Sequence, residues 1–274
     1  MTIFSQRANM LSFSALILLL PLTFLGVMGS TLGCFIIWQR LTFVGESLAH
    51  GALFGIGLSL FWQLPPQPLY IGLSTILSLA FGWWSLHPTL SQTWQAHLNS
   101  FSHGLLGLGL LLLSFFPQGL AQAETLLFGD ILALSAPDAI TLSLFYGFGV
   151  ALLILMLKPL IQLQIAPTLV HVEGKRHRLI TLLFFTLLGA FIGVSVPLIG
   201  VFLLMGTMLL PSAAAQLHAR SPRVMIFLSQ GLSLLGVTCG YMTSHTYDLP
   251  MAPAIVSSYL GVYLLSTLFK KIRS

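Results

Sequence analysis

Long apolar runs, separated by short polar or proline- and glycine-containing breaks, dominate the chain. A helix needs about 17 to 25 predominantly apolar residues to cross a bilayer about 30 Å thick. This pattern predicts an all-α fold, a polytopic transmembrane helical bundle of about eight or nine spans. The spans are expected near residues 10–38, 47–64, 68–86, 101–117, 139–157, 179–196, 197–217, 224–243 and 251–269.

Two stretches need a closer interpretation. Residues 179–217 would be about 58 Å long as one helix, so two spans are predicted, with a turn at "SVPL" around Pro197. Residues 118–138 contain a short apolar piece, Thr125 to Leu134, that is too brief to cross a bilayer. A re-entrant or interfacial helix is expected there.

Composition supports a membrane protein. Only 6% of the residues are charged and the mean hydropathy is +0.96, whereas about a quarter of an ordinary soluble chain is charged. The net charge of +5 indicates membrane orientation rather than a nucleic-acid partner. Cys34 and Cys239 lie inside apolar runs, and they predict neither a disulfide nor a cysteine metal site. The first apolar run is too long for a signal-peptide core, so a retained first span is expected.

The distribution of basic residues predicts the orientation. If the nine spans alternate and the N-terminus is outside, ten basic residues fall in the cytoplasm and only Arg7 falls outside. The C-terminus is then cytoplasmic. No connection is long enough for a second domain, so residues 1–274 are predicted to form a single transmembrane domain with a cytoplasmic loop at about 158–178. The ten are Arg40, Lys158, Lys175, Arg176, Arg178, Arg220, Arg223, Lys270, Lys271 and Arg273.

An acid and an imidazole stand one helical turn apart in "GESLAH". Residues i and i+4 share a helix face, so Glu46 and His50 can reach one cation. The alternative is a helix start at which Glu46 complements the helix dipole and His50 bonds to a neighbouring helix. Ionisable groups within spans are costly and tend to mark ion pathways, which favours a metal site. Zn²⁺, Mn²⁺ and Fe²⁺ all accept these ligands.

Other polar residues give weaker indications. Asp130, His245 and Asp248 could attract cations at an outer mouth, or they could simply cap helices and turns. Six further histidines show no ligand spacing, and ordinary interfacial roles are expected for His87, His97, His103, His171, His177 and His218. The chain has no phosphate-binding loop of the Gly-x-x-x-x-Gly-Lys-Ser/Thr type, so any ATP hydrolysis is expected in a separate subunit.

Several motifs together resemble one family. The chain is similar to the permease subunits of bacterial zinc/manganese/iron-type ABC transporters, and within them most similar to the zinc-uptake permease. The resemblance covers nearly the whole chain. It rests on "FVGESLAHGALFG", "LLFGDILAL", "IAPTLVHVEG", "GVFLLMGTMLLPSAAAQL" and "DLPMAPAIV", in this order.

The resemblance implies partners and site residues. It implies a second permease copy, cytoplasmic ATP-binding subunits, an extracytoplasmic metal-binding protein, and a multi-pass location among the lipids of a bacterial inner membrane. Glu46 and His50 match the family's metal pathway, and Asp130 and Asp248 fall on family-typical positions of unassigned role. The coupling loop that meets the ATPase corresponds to Pro167, Thr168, Leu169, Val172, Glu173 and Gly174.

The sequence thus predicts a transport subunit rather than an enzyme, with no permanently bound cofactor. Its predicted cargo is a divalent metal, taken to be zinc, which passes from the binding protein to the cytoplasm. A manganese or iron importer of the same type remains an alternative, as does a stand-alone metal channel or secondary carrier. An intramembrane metalloprotease fits poorly, because Glu-x-x-x-His reverses the His-Glu-x-x-His order and supplies one ligand too few.

Overall fold

A computed structural model describes residues 2–86, 94–117, 119–129, 131, 134–165 and 170–273. These residues form α-helices joined by short turns, which confirms the predicted all-α fold. The ten helices are α1 (Thr2–Trp38), α2 (Thr42–Trp62), α3 (Pro66–Ser85), α4 (Trp94–Ser114), α5 (Gly119–Phe128), α6 (Ala136–Ile165), α7 (Val170–Ile199), α8 (Val201–Gln216), α9 (Pro222–Tyr247) and α10 (Met251–Arg273).

Six helices within the described ranges are long and apolar enough to cross a membrane, judged by length and composition. They are α1, α2, α6, α7, α9 and α10. α8 is apolar but shorter, and α5 has 10 residues, about 15 Å of helix. The short α5 ends at Phe128, so it overlaps only the first part of the predicted piece 125–134.

The direction in which neighbouring helices run shows how the chain crosses the bundle. Phe24 of α1 lies against Gly147 of α6, and Met28, one turn later, lies against Gly149. α1 and α6 therefore run in the same direction. If all four intervening helices crossed the bundle, α6 would run opposite to α1. α5 therefore turns back without crossing, as expected for a re-entrant or interfacial helix.

The break between α7 and α8 differs from the prediction. Pro197 lies inside α7, and the chain turns at Gly200, which has φ +86°. A proline is tolerated in a membrane helix where neighbouring groups satisfy the freed backbone. Gly200 meets Gly129, which has φ +75°, in a direct backbone contact just after α5. Both glycines occupy a conformation that side chains disfavour, so this pair rather than Pro197 sets the turn.

Two predicted boundaries also move. α4 begins at Trp94 rather than at 101. α6 continues to Ile165 and α7 begins at Val170, so most of the predicted loop 158–178 is helical, and residues 166–169 lie outside the described part. Long helices that extend past the apolar run explain both differences, because hydropathy marks the membrane-buried portion and not the end of the helix.

The helices divide into an inner and an outer group. In α1, α2 and α7, about two thirds or more of the membrane-length window is buried, whereas α10 is 22% buried. The outer helices present large apolar side chains outward, as lipid-facing helices do. Buried serines connect α1, α8 and α9, where Ser212 Oγ lies 2.8 Å from Ser30 O and 3.1 Å from Ser229 Oγ. Such hydrogen bonds are typical of helix contacts in membranes.

Candidate metal site

α2 carries the predicted acid and imidazole near its start. Glu46 and His50 lie within the first three turns of α2. This is the end of the bundle where α1 is followed by α2, called here the α1–α2 end. His50 is 6% exposed and Glu46 is half-buried. The helical spacing predicted from the sequence is therefore present, and it places both side chains on one face.

α4 packs alongside α2 and runs in the same direction. Ser47 Oγ lies 3.1 Å from Leu98 O, and one turn later His50 Nδ1 lies near Ser102. Farther along, Gly109 lies against Phe54. The two helices therefore stay in register over several turns, and residues near Ser102 on α4 lie beside the Glu46/His50 pair.

This packing brings a third ligand to the pair. The candidate ligand atoms of Glu46, His50 and His103 all lie within 4.8 Å of one another. One cation bound by ligands at about 2.1 Å needs ligand separations near 3.4 Å in tetrahedral geometry, so small side-chain rotations would complete the site. Among the described residues, this is the group of three or more potential ligands that the structure brings together.

Hydrogen bonds orient the His50 ring. Nδ1 lies 2.9 Å from Ser102 Oγ and 3.2 Å from Ser102 O. A carbonyl oxygen can only accept, so a proton on Nδ1 satisfies this contact, and the Nε2 lone pair is left for a metal. Ligating histidines commonly donate their other nitrogen to an oxygen in this way, which fixes the ring and the tautomer.

The site is open on one side. His103 is exposed, Glu46 is half-buried and His50 is buried. A cation therefore has an accessible side next to His103 and a closed side next to His50. Three protein ligands with an open side leave a position for water or a further ligand, as expected for a site that must also release its ion.

The structure places His103 beside Glu46 and His50, which the sequence did not indicate. His103 shows no ligand spacing along the chain, and for that reason the sequence predicts an ordinary interfacial or hydrogen-bonded histidine there. α4 begins at Trp94, so His103 lies nine residues, or about 14 Å, inside the helix. The packing of α4 on α2, rather than a spacing in the sequence, reveals its position beside the pair.

The other acidic candidates lie away from this cluster or outside the described part. Asp248 is exposed and ends α9 with φ +51°, a helix-capping conformation at the opposite end of the bundle. Asp130 lies outside the described residues. Asp138 accepts a hydrogen bond from Ser135 Oγ in the first turn of α6, which is a helix-start role. The structure thus does not bring Asp248 to Glu46 and His50.

Three of the predicted coupling residues lie within the described part of the chain, and three lie outside it. Val172, Glu173 and Gly174 belong to the first turns of α7. Their contact with an ATPase stays a prediction, because the chain is described alone. Pro167, Thr168 and Leu169 lie outside the described residues.

Comparison with known proteins agrees with this architecture. The chain is 27% identical over 249 residues to the high-affinity zinc uptake system membrane protein ZnuB of Haemophilus influenzae, covering 91% of this chain and 94% of that protein. It is also 27% identical over 253 residues to the manganese import system permease protein ScaB of Streptococcus pneumoniae, covering 88% and 85%.

The fold resembles a solved structure described as PsaBC from Streptococcus pneumoniae in complex with Fab. The TM-score is 0.76 at 22% identity, covering 91% of this chain and 89% of that chain. Residues 14–270 match the model of the ABC 3 transport family. Since that match spans nearly the whole sequence, the chain belongs to the ABC 3 transport family.

Proposed function

We propose that this chain is the membrane-spanning permease subunit of an ATP-driven importer of divalent metal ions, and that its cargo is zinc. The cation passes through a transient site formed by Glu46, His50 and His103 on its way to the cytoplasm. A second permease copy, cytoplasmic ATP-binding subunits and an extracytoplasmic metal-binding protein complete the transporter in a bacterial inner membrane.

The cluster of two imidazoles and one carboxylate is the observation that carries this proposal. The relatives include both zinc and manganese proteins at equal identity, so they do not decide the metal. The ligand set supports zinc over manganese and leaves iron as an alternative, because imidazole suits both zinc and iron. Imidazole nitrogens suit zinc, whereas manganese prefers carboxylate, carbonyl and water oxygens. His103 therefore favours zinc more strongly than the Glu46/His50 pair does alone.

The same ligand set occurs in zinc hydrolases, which raises the metalloprotease alternative again. Those enzymes need a separate carboxylate as a general base beside the metal. Within the described part of the chain, Glu46 is the one acid in the cluster, and we assign it as a ligand of the cation rather than as a base. A transport site needs no such base, so transport explains the residues with fewer assumptions.

The proposed orientation is inferred from the distribution of basic residues, and it puts the α1–α2 end in the cytoplasm. Arg178 on α7 stacks over Trp83 on α3, 3.9 Å from the ring centroid, at this end. Tryptophan and arginine both favour the membrane–water interface, so the contact supports an interface at this level. The metal cluster then lies nearer to the cytoplasmic side than to the external side.

The test is zinc transport by the complete transporter in proteoliposomes, with Glu46→Gln, His50→Asn and His103→Asn compared separately. Each change should lower ATP-dependent zinc uptake at least about tenfold, because each removes one of three ligands. His97→Asn and Glu124→Gln are matched controls, since both residues are exposed and lie outside the cluster. Both controls should transport normally. Normal zinc uptake in all three cluster variants would refute the site.

A second experiment distinguishes an ATP-driven importer from a channel or secondary carrier. The permease alone, reconstituted without ATP-binding subunits, should not move zinc down a gradient. Sustained zinc flux without ATPase or ATP would refute the ATP-driven importer and favour the self-sufficient carrier, even if the Glu46, His50 and His103 variants still abolish flux.

A further inference from the structure

Positive charge collects at one corner of the α1–α2 end, where α8, α9 and α10 meet. His218 Nε2 lies 3.0 Å from Ser266 O, which holds the end of α8 against α10. Arg220 and Arg223 follow directly on the α8–α9 turn and the first turn of α9. Lys270 lies one helical turn after Ser266. Arg220, Arg223 and Lys270 are all exposed, and we call these three residues the basic corner.

The packing of α9 on α10 supports this placement. Tyr259 lies against both Ser233 and Gly236, and Ile255 lies against Gly240. Later residues of α9 therefore meet earlier residues of α10, so the helices are antiparallel. The start of α9 then lies beside the end of α10, where Lys270 is located.

Within the described residues, no acidic residue belongs to α8 or α10, and none lies within α9 (Pro222–Tyr247). The described acidic positions lie on other helices or at the far end of α9. The positive end of the α9 dipole adds to the same field, because the helix starts between the two arginines. An anion that is not part of the chain would therefore be stabilised at this corner. The acidic positions are Glu46 on α2, Glu124 on α5, Asp138 on α6, Glu173 on α7, and Asp248 at the end of α9.

Exposed apolar side chains flank the same corner. Val224 and Phe227 point outward on the first turns of α9, and Phe227 is 74% exposed. Leu268, Phe269 and Ile272 are exposed on the last turns of α10. A ligand that satisfies this surface must therefore carry both a negative group and apolar chains in one molecule.

We propose that the basic corner binds the headgroup of an anionic phospholipid. Its phosphate lies among Arg220, Arg223 and Lys270, and its acyl chains cover Phe227 on α9 and Phe269 on α10. A water-soluble protein partner would have to bury these exposed apolar side chains at the level of the membrane. A phospholipid instead provides a phosphate for the basic residues and acyl chains for the apolar ones. The proposal is independent of which metal is transported.

The test measures lipid retention by the full-length chain purified in detergent. Native mass spectrometry compares phosphatidylglycerol with phosphatidylcholine of identical acyl chains, added in equal amounts. The unaltered chain should retain phosphatidylglycerol preferentially. Arg220→Gln combined with Arg223→Gln should lower that preference at least about fivefold, and raising the salt concentration should lower it in the unaltered chain.

The matched control is Lys158→Gln combined with Arg176→Gln, which removes two exposed positive charges elsewhere, on α6 and α7. The control should keep the preference for phosphatidylglycerol. An equal loss in both double variants would overturn the proposal, because net charge alone would then explain binding. An unchanged preference in the Arg220/Arg223 variant would also overturn it.

Two further measurements distinguish a bound lipid from a soluble anion and from a protein partner. Inorganic phosphate at millimolar concentration should not displace phosphatidylglycerol; displacement would identify a site for soluble anions and refute the lipid. If the Arg220/Arg223 variant keeps its lipid but fails to co-purify with the ATP-binding subunit, the corner is a protein interface and the proposal is wrong. Should the double variant fail to fold, Lys270→Gln in the exposed last turn of α10 should still lower the lipid preference, and no reduction would overturn the proposal.

Discussion

His50 and Ser102 join the two helices that carry the candidate metal ligands. The imidazole Nδ1 of His50 lies 2.9 Å from Ser102 Oγ and 3.2 Å from Ser102 O. His103, the next residue on α4, supplies the third potential ligand. One serine therefore orients the His50 ring and fixes the helix position that brings His103 to the cluster.

Replacement of this serine should impair transport without removing a ligand. Ser102→Ala is expected to lower zinc-dependent transport about 10- to 100-fold, the usual cost of losing a hydrogen bond behind a metal-binding histidine. The remaining backbone contact to Ser102 O should preserve part of the orientation, so the loss should be smaller than for His50→Asn. Zinc uptake in proteoliposomes gives the measurement.

Ser100→Ala on the same helix is the control for this change, because Ser100 is exposed and lies outside the cluster. It should transport normally. A Ser102→Ala protein with full activity, or one with no activity at all, would contradict a supporting role for Ser102.

Exchange of an imidazole for a carboxylate should change the metal preference. His103→Asp replaces a nitrogen ligand with an oxygen ligand, which suits manganese better than zinc. The ratio of zinc to manganese uptake should fall at least about tenfold, with total ATP-dependent transport partly retained. Competition between the two metals in one uptake assay measures the ratio. His97→Asp should leave it unchanged, and an unaltered ratio in His103→Asp would mean that His103 does not contact the cation.

The turn between α7 and α8 should depend on glycine. Gly200→Ala forces φ +86° on an alanine, at a cost of about 1–3 kcal/mol, and its Cβ would overlap the backbone of Phe128 and Gly129. The unfolding temperature in detergent should fall by several degrees. Gly231→Ala is the control: an added Cβ at Gly231 has open space on α9, and alanine favours helix by about 1 kcal/mol. Equal stability of the two variants would be inconsistent with the Gly129–Gly200 contact.

Two partners of one buried hydrogen bond should contribute unequally to stability. Tyr146 OH on α6 lies 2.9 Å from Ser195 Oγ on α7, and Ser195 also donates to Phe191 O. Ser195→Ala leaves the fully buried Tyr146 hydroxyl without this partner, at a cost of about 1–3 kcal/mol. Tyr146→Phe removes the hydroxyl itself and leaves Ser195 bonded to Phe191, so it should cost less. Thermal unfolding of both variants measures the two losses of stability. A larger loss for Tyr146→Phe than for Ser195→Ala would mean that Ser195 does not donate to Phe191 O as described.

The hydropathy pattern predicted most of the features that depend on residues close together in the chain. It predicted the all-α fold and the shared helix face of Glu46 and His50, because each depends on the spacing of residues along one helix. It missed the helix ends, since α4 and α6 continue beyond their apolar runs. The sequence did not identify His103, because its approach to Glu46 and His50 depends on how α4 packs on α2.

Only the tertiary structure decided which helices are neighbours. Apolar faces of different spans look alike in sequence, and the lipid is as apolar as the helices, so hydropathy cannot select a packing partner. Close packing and hydrogen bonds select it instead. Ser47 and His50 meet Leu98 and Ser102 in register, and Gly129 meets Gly200. The sequence thus predicted that Glu46 and His50 share a helix face, and packing between α2 and α4 brought His103 to them as a third potential ligand.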